Sequence, residues 1–192
     1  TSVTFTLDGV NPGVTINQPL NQTYSTTTIN FNVTATDGTG MSTCLYTLTA
    51  GLTNFTMANL STSPTQWTAS NTTMAQGSHT ARYYCNDTAN NLNNSATRTF
   101  FIDTVNPIIT FELPTNGTNT TITTQDINFT AIDTNRQACW YSNDTYLANT
   151  TLASCGNITA VVWAEGQHNV TVWANDTLGS EGRNTLRFFV DL

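Results

Sequence analysis

Two histidines, four cysteines, four tryptophans and a thin set of carboxylates are the residues of this chain whose types could do chemistry. His79 opens the run Gly77-Ser78-His79-Thr80-Ala81-Arg82-Tyr83-Tyr84-Cys85-Asn86-Asp87-Thr88, and His168 opens Gly166-Gln167-His168-Asn169-Val170-Thr171-Val172-Trp173-Ala174-Asn175-Asp176-Thr177. A histidine acting as general base needs a nucleophile within hydrogen-bond reach and a third group to orient it. Neither run carries such a motif. The chain also has no nucleophile elbow, no metal-binding helix motif and no phosphate-binding glycine loop. No catalytic or cofactor-binding residue is assigned, the chain is not expected to be an enzyme, and both histidines are expected to serve structure.

Among the carboxylates, Asp8, Asp103 and Asp191 recur at the end of the same apolar run, while Asp87 and Asp176 recur in an Asn-Asp-Thr turn. A hard cation needs six or more converging oxygens, which a domain junction rich in Asp, Asn and carbonyls could build. The commoner role of such a residue is an Asx-turn, its carboxylate bonding its own backbone two residues on. With acids this sparse no metal ligand is assigned and no cofactor is expected, calcium being the alternative. Trp67, Trp140, Trp163 and Trp173, with Tyr83, Tyr84 and Tyr141, would make a sugar-stacking platform if exposed in a row. Trp140 and Trp173 adjoin the cysteine positions on candidate core strands, so burial is expected for them.

The four cysteines lack Cys-x-x-Cys or histidine-rich spacing and read as disulfides of an oxidising, extracellular setting. The favoured pairing is Cys44–Cys85 across a first core and Cys139–Cys155 as a shorter staple in a second.

The elements that must position these residues are written twice. The His79 run and the His168 run lie 89 positions apart, and Phe5-Thr6-Leu7-Asp8-Gly9-Val10-Asn11-Pro12 matches Phe100-Phe101-Ile102-Asp103-Thr104-Val105-Asn106-Pro107 at an offset of 95. Repetition with turn residues intact marks tandem domains. The expected division is residues 1–12 as an N-terminal strand and linker, 13–104 as the first domain, 105–107 as a linker without a free hinge, and 108–192 as the second domain. With 42 Thr, 24 Asn and no Lys, the composition favours half-buried strands joined by tight turns. Seven short strands are expected in each domain: Val14–Asn17, Thr27–Thr36, Thr43–Thr49, Asn54–Ala58, Gln66–Ala69, His79–Asn86 and Thr97–Asp103, then Ile108–Leu113, Asp126–Ile132, Ala138–Ser142, Tyr146–Leu152, Ile158–Trp163, His168–Ala174 and Thr185–Asp191. The fold class is all-β: two tandem immunoglobulin-like Greek-key β-sandwiches preceded by an extra strand. Tyr83, two residues before Cys85, has the spacing of the corner tyrosine that precedes an inter-sheet disulfide in such domains.

Net charge is −7 with five scattered Arg, which excludes a nucleic-acid partner on electrostatic grounds. Fifteen Asn-x-Ser/Thr sequons, at Asn21, Asn32, Asn54, Asn59, Asn71, Asn86, Asn93, Asn116, Asn119, Asn128, Asn143, Asn149, Asn157, Asn169 and Asn175, are roughly twice what shuffling this composition gives, so N-linked glycans are expected. There is no apolar run long enough to span a membrane and no signal peptide, which fits a mature ectodomain or a piece of one.

Cys139-Trp140-Tyr141-Ser142-Asn143-Asp144, the turn Ser154-Cys155-Gly156-Asn157-Ile158-Thr159, the His168 run and the closing Phe188-Phe189-Val190-Asp191 resemble the immunoglobulin-like repeats of archaeal cell-surface, S-layer or extracellular filament proteins. The likeness spans nearly all of the second domain and more loosely the first, which departs by carrying Cys85 on a strand. The resemblance implies an extracellular, glycosylated structural module without activity.

Residues 1–10 alternate, with Val3, Phe5 and Leu7 on one face, and form a strand without a domain of its own. Such a strand is expected to pair with a sheet edge elsewhere, and copies of the same chain offer one. The expected function is a subunit of a pilus-like or thread-like cell-surface filament, polymerising head-to-tail by donor-strand complementation. The alternative is a stalk, adhesin or S-layer fragment that binds glycans or a partner surface. With seven strands expected in each domain, the sequence does not point to a vacant groove.

Overall fold

The computed structural model describes residues 7–60, 63–144, 146 and 149–192, residues 63 and 64 by backbone alone. Val3 and Phe5 of the expected N-terminal strand lie outside the described residues. The chain divides into two compact units, Thr1–Thr104 and Val105–Leu192.

The first unit is built of β1 (Gly13–Gln18), β2 (Thr23–Tyr24), β3 (Ile29–Thr36), β4 (Met41–Thr47), β5 (Asn54–Thr56), β6 (Ala58–Leu60), β7 (Ser63–Asn71), β8 (Gly77–Asp87), β9 (Leu92–Asn93) and β10 (Thr97–Ile102). One sheet runs β1-β3-β7-β6; the other runs β2-β10-β8-β4-β5, with β9 beside β8. Period-two alternation explains both inner faces. In β3 it turns Ile29, Phe31, Val33 and Ala35 inward, and in β8 it buries Ala81, Tyr83 and Cys85. Phe31 stacks on Tyr46 at 4.1 Å and meets Phe100 edge-on at 6.1 Å, which joins the two sheets.

The second unit has β11 (Ile108–Leu113), β12 (Thr118–Thr120), β13 (Asn128–Ile132), β14 (Arg136–Asn143), β15 (Thr150–Leu152), a 3-10 turn at Ala153–Cys155, β16 (Gly166–Asp176) and β17 (Glu181–Val190). Its larger sheet, β12-β17-β16-β14-β15, repeats the arrangement of the first unit. Both units hold a parallel pair beside the last strand, β2 with β10 and β12 with β17. Both break register at matching points, after Ile16 and after Phe111, just before Pro19 and Pro114. Gly77 and Gly166 enter β8 and β16 at φ +106° and +125°, a conformation L side chains rarely adopt.

The other sheet differs between the units, and this corrects the strand expectation. Residues 158–163 alternate as a strand would, yet only Ile158 pairs, bridging to Ile127. Ala160 takes φ 59°, and the Trp163 N–H turns to the Thr123 carbonyl at 2.7 Å, drawing the segment off the ladder. The second unit therefore has a two-stranded sheet, β11-β13, where the first has four strands. Asn54–Ala58 is also divided, into β5 in one sheet and β6 in the other.

Both disulfides are formed, Cys44–Cys85 and Cys139–Cys155. The first does not join two sheets. Cys44 and Cys85 face each other on adjacent strands β4 and β8 of one sheet, with Cα atoms 4.2 Å apart. Cys139 stands opposite Ala174 in the matching register of β14 and β16, so its partner comes from the 3-10 turn instead.

Gly182 in β17 lies flat against the Pro107 backbone of the same unit, where an added Cβ would overlap the Pro107 carbonyl oxygen. Backbone cannot swing aside as a side chain can. Gly182→Ala is expected to lower the stability of the second unit by about 2–3 kcal/mol, measured as the urea midpoint of its transition, with the first unit unchanged.

Candidate functional site

Among the described residues, the edge of β13 is one where a strand present in the first unit has no counterpart in the second. In the first unit, β3 lies between β1 and β7, pairing the latter from Ile29↔Asn71 to Thr34↔Gln66. Its counterpart β13 pairs β11 on one side, and no strand of the described residues pairs it on the other. Side chains stopper that edge. The Phe129 N–H donates to Asn157 Oδ1 at 3.0 Å, and the Arg136 guanidinium donates to the Ala131 carbonyl. Covering an edge with a charged side chain and a short loop is a usual protection against unwanted pairing. Ile132 at the end of β13 and Val162 in the irregular segment are 68% and 75% exposed.

Of the N-terminal strand residues, Leu7 is described and is 89% exposed, with Val10 at 68%. Residues 7–12 form no strand. From Asp8 onward the segment is tied to the first unit: Asn91 Nδ2 donates to the Asp8 carbonyl at 3.2 Å, and Asn93 Nδ2 donates to the Pro12 carbonyl at 2.8 Å. Asp8, Asp37 and Asp87 bring carboxylate oxygens within 4.8 Å of one another. Neutral donors serve all three. Thr39 Oγ1 lies 2.7 Å from Asp8 Oδ2 and 2.8 Å from Asp37 Oδ1, and Asn91 Nδ2 donates to Asp87 Oδ2 at 2.7 Å. The bonds from Thr39 and the Val10 N–H hold the Asp8 carboxyl below its ordinary range.

The histidines occupy equivalent structural posts. His79 Nε2 bonds the Ala75 carbonyl at 2.8 Å and His168 Nε2 bonds the Ala164 carbonyl at 2.8 Å, so each ring pins the turn four residues before it. His168 Nδ1 also meets Asp144 Oδ2 at 2.9 Å, and both rings of the pair pack on a phenylalanine of the last strand, Phe100 or Phe188. Tyr83 is buried, which pushes its phenol up, and its hydroxyl donates to the Gln18 carbonyl at 3.0 Å. That partner is 65 residues away rather than a few upstream, so Tyr83 ties β8 to the end of β1.

Burial was expected for Trp140 and Trp173, and the structure places them on the outer face. They oppose each other across β14 and β16, with ring planes 6° apart and centroids at 6.5 Å. Tyr146, 52% exposed, meets Trp173 edge-on at 6.2 Å. The reason is the strand period: Cys139 and Ala174 point inward, so their neighbours must point outward. Trp67 and Trp163 are buried, and Trp163 Nε1 donates to the Gln125 carbonyl at 2.8 Å.

No protein-family model matches the chain, and no curated protein matches it. Among solved structures, the D00-D0 domain of intimin is 14% identical over 94% of this chain and 100% of that one, at a TM-score of 0.54. The titin I-band fragment I67-I69 is 9% identical over 95% of this chain, at a TM-score of 0.59, and this chain covers 66% of the fragment. At such identities the likeness is one of fold: tandem immunoglobulin-like β-sandwiches. No helix among the described residues is long and apolar enough to cross a membrane.

Proposed function

We propose that the chain is a non-enzymatic, extracellular structural subunit that polymerises by donating residues 1–7 to the open β13 edge of the next copy. The observation that carries this reading is the difference between the two units. Where β7 completes the sheet of the first, the corresponding side of β13 in the second is covered, among the described residues, by the Asn157 and Arg136 side chains beside the single Ile127–Ile158 bridge. An incoming strand would replace those side-chain bonds with a main-chain ladder, and Val3, Phe5 and Leu7 would set its register. Donor and acceptor are different surfaces, so the contact is heterologous and propagates into an open fibre. Two disulfides fit an oxidising compartment, and the resemblance to archaeal surface repeats fits such a filament. Electron microscopy of the native, undenatured protein tests the reading: uniform fibres are expected, and monodisperse particles under all conditions would sink it.

A second reading rests on the Trp140–Trp173 stack with Tyr146. Flat, half-buried indoles on the outer sheet face suit the apolar faces of sugar rings, as in a glycan-binding stalk. A glycan array separates the two, since a purely structural subunit gives no selective hits.

N-linked glycans belong to the proposed extracellular role, and the fold sorts the sequons. Asn93 and Asn175 commit their amide nitrogens to neighbouring groups, the Pro12 carbonyl at 2.8 Å and Gln137 Oε1 at 3.1 Å, and Asn175 Oδ1 accepts from the Ala138 N–H at 3.1 Å. Asn21, Asn54, Asn119 and Asn143 are exposed. Glycopeptide mass spectrometry of protein from its native host is expected to find sugar at these four and to recover Asn93 and Asn175 unmodified.

A further inference from the structure

We propose that the second unit binds a hard divalent cation, calcium by its ligand chemistry, at the head of the turn after β16, between Asp176, Asp133 and Asn135. Asp176 is fully buried. Its Oδ1 accepts from the N–H groups of Leu178 at 2.8 Å and Ser180 at 2.7 Å, and no donor among the described residues reaches its Oδ2. A buried carboxylate oxygen without a partner is costly, and a second such orphan belongs to a residue hydrogen-bonded to the same turn. Asn135 Oδ1 is also buried and without a donor, although the rest of Asn135 is fully engaged. Its N–H donates to Asp133 Oδ1 at 2.9 Å, its Nδ2 donates to Thr177 Oγ1 at 3.2 Å, and its carbonyl takes the Thr177 N–H at 3.1 Å. These bonds put Asp133, Asn135 and the Asp176–Thr177 turn at one spot.

Asp133 and Asp176 bring carboxylate oxygens within 4.8 Å of each other. Oxygens that share one calcium, each about 2.3–2.6 Å from the ion, stand at most about 5 Å apart, so a single ion spans them. No arginine forms an ion pair with either carboxylate among the described residues. A cation that takes two carboxylates, an amide oxygen and waters would satisfy both orphans and remove the repulsion between the acids.

The first unit shows why the demand is specific to the second. Asp87 and Asn91 stand where Asp176 and Ser180 stand, with the same backbone bonds: each aspartate Oδ1 takes the N–H four residues on. In the first unit the Asn91 side chain adds Nδ2 to Asp87 Oδ2 at 2.7 Å. Ser180 has no amide to offer, and Asp176 Oδ2 is left over. What an Asn side chain does in one repeat, a cation does in the other.

The test is thermal unfolding of the full chain by calorimetry, in chelator and in calcium at about 10 mM, roughly ten times the dissociation constant of a weak extracellular calcium module. Calcium is expected to raise the transition of the second unit by about 5–10 °C and to leave the first unmoved. Ser180→Asn should fold, be at least as stable in chelator as the parent, and lose the calcium shift, because its amide supplies the missing donor. Asp176→Asn should lose the shift too. Identical transitions in calcium and chelator would overturn the proposal. A shift that survives Ser180→Asn would overturn it as well. None of these outcomes depends on whether the chain forms fibres.

Discussion

A chain cut after residue 7 is expected to keep both domains folded and to form no fibres. The cut falls there because Asp8 already belongs to the first unit through Thr39 and Asn91, so removing it would confuse loss of assembly with loss of stability. Burying three apolar donor side chains such as Val3, Phe5 and Leu7 is worth about 5–9 kcal/mol before the cost of association. Their loss lowers the association constant by on the order of 10³- to 10⁶-fold. A milder variant isolates one contact. Leu7 is almost wholly exposed in the subunit, so Leu7→Ala should leave the unfolding midpoint unchanged while raising the critical concentration for fibres by about 10- to 100-fold. Sedimentation of fibres from serial dilutions reads both effects. Fibres of normal length from the truncated chain would show that residues 1–7 are not the donor.

Much of this fold is legible in the chain because its two halves repeat their turns. The His79 and His168 runs became β8 and β16, and the inward faces followed the alternation. The pairing Cys44–Cys85 was readable, but its geometry was not: a cysteine two residues after an inward tyrosine suggests a bridge between sheets, whereas residues directly opposite on neighbouring strands bond as easily. The expected burial of Trp140 and Trp173 was wrong, although the strand period held the answer. Cys139 and Ala174 point inward, and a period of two leaves their neighbours no choice. The open β13 edge was hidden for a physical reason. Residues 158–163 carry the apolar pattern of a strand, and the features that prevent one are a left-handed alanine at Ala160 and the pull of Thr123 and Gln125 on Trp163, neither of which leaves a mark in composition. The orphan oxygen of Asp176 is legible only by comparison, once Asn91 and Ser180 are seen to occupy one position in two repeats.

The two disulfides are expected to matter unequally for stability and in the opposite order for assembly. In the chain-entropy account, closing the 41-residue separation of Cys44–Cys85 stabilises the first unit by about 4 kcal/mol, and the 16-residue separation of Cys139–Cys155 stabilises the second by about 3 kcal/mol. Replacing Cys44 and Cys85 by alanine should therefore lower the first transition by the larger amount, and the site should tolerate the smaller side chain, since Ala174 already stands opposite Cys139 in the same register. Replacing Cys139 and Cys155 reaches further than its energy suggests. The 3-10 turn at Ala153–Cys155 is what carries the chain to Asn157, and Asn157 is the side chain that closes the Phe129 N–H on the β13 edge. Without the staple that amide should exchange with solvent faster than the Phe31 amide of the first unit, by more than the global loss of stability accounts for, and the edge should accept foreign strands more readily. Hydrogen exchange at Phe129, measured beside the two denaturant midpoints, separates these effects: protection that falls only in step with the second midpoint would mean that the disulfide stabilises the domain without guarding its edge.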